Sequence, residues 1–113
     1  MFGNGIVKPK NEEEMIELKK TFKKTGGRTF TQVYRTDKMA IYLVEWPEGS
    51  KAVEVFRIKV KNSPFHDGPF EKYPSNEDFG VWAWSCSTQP SLEKIMKQHF
   101  PDIPVPKILK DTL

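Results

Sequence analysis

Cysteine is all but missing from this chain. Cys86 stands alone among 113 residues, so no internal disulfide can form, and a lone thiol fits a reducing compartment. Histidine is nearly as scarce, with His66 and His99 the only two. Two imidazoles and one thiol do not supply four zinc ligands at working spacing, so no metal is expected. No apolar run approaches the roughly 18 residues of a membrane span, and no membrane partner is expected. The opening MFGNGIVKPK has neither a basic stretch followed by an apolar core nor a small-residue cleavage site, which predicts a cytoplasmic protein. A glycine-rich phosphate loop, a dinucleotide fingerprint and internal repeats are lacking as well. The expectation is a protein that is not an enzyme and carries no cofactor.

What is present has a globular make-up: 37% hydrophobic, 12% aromatic and 29% charged residues. The length suits one domain with its own core, bounded by a flexible N-terminus at 1–10 and an extended C-terminal tail at 101–113. The net charge of +3 is unevenly placed, residues 1–61 carrying +5 and residues 62–113 carrying −2. Such a bias fits an acidic partner without naming one.

The most patterned segment is KAVEVFRIKVK, Lys51 to Lys61. Its second half alternates apolar and basic residues with period two, so Phe56, Ile58 and Val60 are expected on one face of a strand and Arg57, Lys59 and Lys61 on the other. Two further strands are predicted at Thr29 to Thr36 and Met39 to Trp46. They are joined by turn-forming Asp37-Lys38, and Pro47-Glu48-Gly49-Ser50 leads into the third. Met39 to Trp46 is apolar on both faces and reads as the central strand. Gly80 to Ser87 reads as a fourth, with Trp82, Trp84 and Cys86 on one face.

Helices are predicted at both ends. Asn11 is a suitable N-cap, Glu12 to Glu14 load a first turn, Lys19, Lys20, Lys23 and Lys24 load a last one, and Gly26-Gly27 ends it. Pro90 to Phe100 places Leu92, Ile95, Met96, His99 and Phe100 on one stripe before Pro101 stops it. The expected fold is α+β: an antiparallel four-stranded sheet with two helices packed on one face, in the order α-β-β-β-(long loop)-β-α. That order resembles the double-stranded-RNA-binding domain. Its basic second helix has no counterpart here, since Ser91 to Phe100 offers only Lys94 and Lys97, so its function is not carried over.

Two candidate surfaces follow. Residues 62–79 form a long proline-broken loop in which Phe65, Phe70, Tyr73 and Phe79 stand among prolines and acids, and rings held this way make contact anchors for a protein partner. The apolar residues of the tail, Val105, Ile108, Leu109 and Leu113, pack on their own domain or build a homodimer by adding a strand to a neighbour. The alternative surface is a basic open sheet face, Arg35, Arg57, Lys59 and Lys61 with the ring of Tyr42 or Trp46, on which single-stranded nucleic acid would stack. Against it stands the absence of a known reader motif. Cys86 is read as an inward, inert thiol, and His66-Asp67-Gly68 as a turn. Glu71, Glu77 and Asp78 are read as solvated loop carboxylates.

The run EKYPSNEDFGVWAW, Glu71 to Trp84, resembles a segment of small uncharacterised proteins of bacteriophages and prophages. It covers about an eighth of the chain and implies no catalytic residue. What the resemblance implies is an accessory protein of a mobile element that binds host or phage components. The leading expectation is thus a small non-enzymatic binding protein acting through the 62–79 loop and the tail, with the nucleic-acid-binding module as the alternative.

Overall fold

A computed structural model describes residues 15–62 and 68–109. They divide into two units: residues 15–18, 58–62 and 68–73 in the first, and residues 19–57 and 74–109 in the second. In chain order the strands are β1 (Thr21–Lys24), β2 (Arg28–Arg35), β3 (Met39–Glu45), β4 (Lys51–Arg57), β5 (Val60–Lys61), β6 (Phe70–Glu71) and β7 (Ala83–Cys86), followed by helix α1 (Gln89–His99).

The class is α+β, as expected, but the sheet of the second unit has five strands rather than four, ordered β1-β2-β3-β4-β7 and antiparallel throughout. Among the described residues there is one α-helix rather than two. The expected first helix is the correction. Asn11 and Glu12 to Glu14 lie outside the described residues, residues 15–20 are not helical, and Thr21–Lys24 is the edge strand β1. Pairing overrides local helix preference here because Phe22 falls opposite Phe30 and their rings stack. Gly26 and Gly27, at φ 94° and 84°, make the hairpin turn, with the Gly27 N–H donating to the Lys24 carbonyl at 3.1 Å. A helix end and a tight hairpin both call for positive φ, and Gly-Gly serves either.

The register Met39↔Arg57, Ile41↔Val55, Leu43↔Val53 gathers these side chains on one face with Trp84 and Cys86. Helix α1 lays Leu92, Met96 and Phe100 on that face, forming a core with Met39, Ile41, Val53 and Val55. The helix begins where expected, Thr88 accepting from the Ser91 N–H at 3.2 Å with Pro90 in the first turn. Within β2 a bulge at Val33 shifts the register between Gln32 and Tyr34, so Gln32 pairs Tyr42 while Tyr34 pairs Ile41. Tyr34 thereby joins the helix-side core.

The other face is closed, against the expectation of a partly open sheet. Phe30, Ala40, Tyr42, Val44 and Phe56 on it are 0–1% exposed. It is the aromatic face, where Phe22 stacks on Phe30, Tyr42 on Phe56, and Phe56 meets Trp82 edge-on. Trp82 and Trp84 therefore do not share a face. The strand starts only at Ala83, and the turn before it carries Trp82 to Phe56 while Trp84 faces the helix.

The described part of the tail packs on its own unit: Ile103, Val105, Ile108 and Leu109 lie against the helix-side core. Gln89, 6% exposed, fastens it. Its amide nitrogen donates to the Pro106 carbonyl at 2.8 Å, and its oxygen accepts from the N–H groups of Ile108 at 3.1 Å and Leu109 at 2.9 Å.

In the first unit β5 and β6 pair antiparallel, and Ile16 bridges Phe70 from the other side in parallel. The Ile16 N–H donates to the Pro69 carbonyl at 3.1 Å, the Glu71 N–H donates to the Ile16 carbonyl at 2.8 Å, and the Glu71 carboxylate accepts from the Leu18 N–H at 3.1 Å.

Candidate functional site

The row of cations expected along residues 51–61 is broken. Strand β4 ends at Arg57, Ile58 and Lys59 belong to no strand, and Lys61 sits in β5, so Arg57 falls in one unit and Lys59 and Lys61 in the other. The facing is also reversed. Phe56 points to the aromatic face and Arg57 to the helix face, because Arg57 lies opposite Met39. There its guanidinium carbon stands 5.0 Å from the Phe100 ring centre and 5.9 Å from that of Trp84, and Nη2 reaches the His99 carbonyl at 3.5 Å. A cation over two rings at the end of a helix is accounted for by packing and by the helix dipole.

Tyr42 is wholly buried. Its hydroxyl donates to the Lys19 carbonyl at 2.6 Å and accepts from the Gln32 amide at 3.0 Å, so the ring has no face for a base to stack on. Arg35 is half-buried on β2 opposite Ala40, and Lys59 and Lys61 are exposed. Of the aromatic anchors, Phe65 lies outside the described residues, as do His66 and Asp67. Phe70 and Tyr73 are half-buried in the first unit, and Phe79 is half-buried in the second.

What the structure does bring together is a different set of cations. Residues 19–28 hold five Lys and Arg and no Asp or Glu. Lys19, Lys20, Lys23 and Lys24 are exposed, and Arg28 is half-buried. Lys23 and Lys24 lie on β1, the outer edge of the sheet, Lys19 and Lys20 just before it, and Arg28 across the hairpin turn at the start of β2. The backbone beneath them is fixed: Tyr42 holds the Lys19 carbonyl, the Gln32 N–H donates to the Lys20 carbonyl at 2.7 Å, and Lys24 pairs Arg28. On the aromatic face Lys24 Nζ stands 4.9 Å and the Arg28 guanidinium 5.4 Å from the Phe30 ring centre. Lys23 points to the opposite face, with Thr21.

Sequence reading gave these lysines to the last turn of a helix. The signal that finds them is symmetry, since Phe22 and Phe30 stand four residues either side of Gly26, as a three-residue hairpin loop requires. Lysines on an edge strand also deter strand addition by a neighbour, a role that costs the site nothing.

Cys86 is half-buried, and burial pushes its thiol from 9.0 up to about 11, against a lesser lowering by a backbone hydrogen bond at Thr88. A thiol held protonated in this way is a poor nucleophile. Trp84 stacks on His99 with ring centres 3.8 Å apart. Among the described residues no three His, Cys, Asp or Glu side chains gather as metal ligands, and no helix is long and apolar enough to cross a membrane. No family model, curated protein or solved structure matches the chain.

Proposed function

We propose that the chain is a non-enzymatic nucleic-acid-binding protein that holds the phosphate backbone along the exposed edge of β1. The observation that carries this reading is the placement of Lys23 and Lys24 on the edge strand, Lys19 and Lys20 just before it and Arg28 across the turn from Lys24, with no acid between them. Charges spaced along an edge suit a linear polyanion better than a small enclosed one. Three to five phosphate contacts give a slope of roughly −2.7 to −4.5 in log affinity against log salt on duplex DNA, or about a 40- to 500-fold loss between 50 and 200 mM. Fluorescence anisotropy with labelled DNA and RNA tests it. Lys23→Glu with Lys24→Glu is expected to remove binding, and Arg57→Glu to leave it unchanged. Salt-insensitive binding, or binding lost with Arg57 instead, sinks the reading.

A second reading, contact with a protein partner, draws on the first unit. Ile16 and Val60, 47% and 48% exposed, pair on either side of β6, which carries Phe70. On that reading Phe70→Ala with Tyr73→Ala abolishes partner capture, while the lysine changes are silent. A homodimer through the tail would first have to release the contacts made by Gln89.

A further inference from the structure

We infer that the nucleic acid held by the β1 edge is a duplex, contacted through its backbone without base stacking, an inference that rests on the nucleic-acid-binding reading above. Proteins that track single strands combine cations with exposed rings, and stacking supplies about 1–3 kcal/mol per base. The rings beside this edge are already spent on one another. Phe22 and Phe30 lie 4.8 Å apart and 5° from parallel, and Tyr42 and Phe56 lie 5.7 Å apart at 20°. Phe30, Tyr42 and Phe56 are 0% exposed and Trp82 is 8% exposed. Phe22 and Trp46 are half-buried, and no described aromatic residue in the second unit is exposed. A single strand on this edge would gain phosphate contacts and nothing from its bases.

The distribution of charge points the same way. Lys24 and Arg28 project to one face of the edge and Lys23 to the other, so the cations straddle the strand. A charge field spread over both sides of a rigid rail matches the dense, two-stranded phosphate surface of a duplex, which carries one charge per roughly 1.7 Å of axis. Duplex contacts also release more counterions, with a slope of about −0.9 per phosphate against −0.7 for single strands. The edge is held by a ladder and by the Tyr42 and Gln32 hydrogen bonds, so it does not wrap a flexible strand.

The experiment titrates the full chain at 50 mM salt with a labelled mixed-sequence duplex of about 20 base pairs, as DNA and as RNA, and with each component strand. The expected result is duplex affinity about tenfold or more above that of either strand, lost on Lys23→Gln with Lys24→Gln in a variant whose circular dichroism is unchanged. Single strands binding as tightly as the duplex, with the same lysine dependence, overturn the inference and leave the nucleic-acid reading standing. No binding by any probe overturns both. The DNA and RNA arms decide which duplex is preferred.

Discussion

Phe22 lies flat on Phe30, ring centres 4.8 Å apart, and this stack fastens the basic edge strand to the sheet. A stacked aromatic pair is worth about 0.5–1.5 kcal/mol beyond its buried area. Phe22→Ala is expected to destabilise the fold by about 1–3 kcal/mol, and hydrogen exchange at the amides of residue 22 and Lys24, which the 22–30 and 24–28 pairs turn towards β2, should quicken before the rest of the sheet. Equal protection of β1 in the variant and the parent would show that the stack does not hold the edge.

Tyr42→Phe removes a hydroxyl that satisfies two partners in a buried site, the Lys19 carbonyl and the Gln32 amide. Leaving buried polar groups unpaired costs about 1–3 kcal/mol, which urea unfolding would read as a lower midpoint at unchanged slope. Because Lys19 is released, binding should weaken along with stability.

The two turn glycines should differ. Gly26→Ala meets open space and costs only the positive φ, about 1–2 kcal/mol. Gly27→Ala carries the same backbone cost, and its new Cβ falls 2.9 Å from Pro47 Cγ, so the neighbouring turn must move. Thermal melts should therefore rank Gly27→Ala below Gly26→Ala. The reverse order would mean that Pro47 yields freely.

Gln89→Ala deprives the tail of three hydrogen bonds at a 6% exposed position. Amide exchange at Ile108 and Leu109 should rise sharply, with a loss of about 1–3 kcal/mol as Val105 and Ile108 come away from the core. Persistent protection there would assign the docking to apolar contact alone.

Cys86 gives a pH test. With its thiol raised to about 11, the folded state holds its proton through the range in which an unfolded thiol loses it, so stability falls as pH rises from about 9 towards 11. At pH 8 the thiolate fraction is about a hundredfold below that of a free cysteine, and iodoacetamide should label the folded chain correspondingly slowly. Labelling at the rate of the unfolded chain would refute the burial.

The parts of the fold legible in the sequence were those with one strong period and clear punctuation. Met39 to Trp46 is apolar on both faces and is the central strand, and the stripe Leu92, Met96, Phe100 is the helix core. Misread positions had two consistent local solutions. Residues 15–24 satisfy a helical stripe through Met15, Leu18 and Phe22, and equally a strand in which Phe22 alone faces in, and only the long-range partner Phe30 decides between them. The alternation through Phe56, Arg57, Ile58 and Lys59 promised one continuous strand, but a strand ends where its partner ends, and β3 begins at Met39 opposite Arg57. Neither limit is visible from composition. The candidate site shares that ambiguity, since Lys19, Lys20, Lys23 and Lys24 suit the last turn of a helix as well as a sheet edge.

The extra residue at Val33 splices two frames within a single strand. Upstream of it even-numbered residues such as Phe30 and Gln32 look towards the rings, and downstream an even-numbered residue, Tyr34, looks towards the helix. One-residue deletions elsewhere in a strand turn everything beyond them inside out. Excising Val33 would instead merge the frames and leave Tyr34 and Arg35 facing as they do now, so this strand carries one position at which the chain can shorten without the sheet being rewritten.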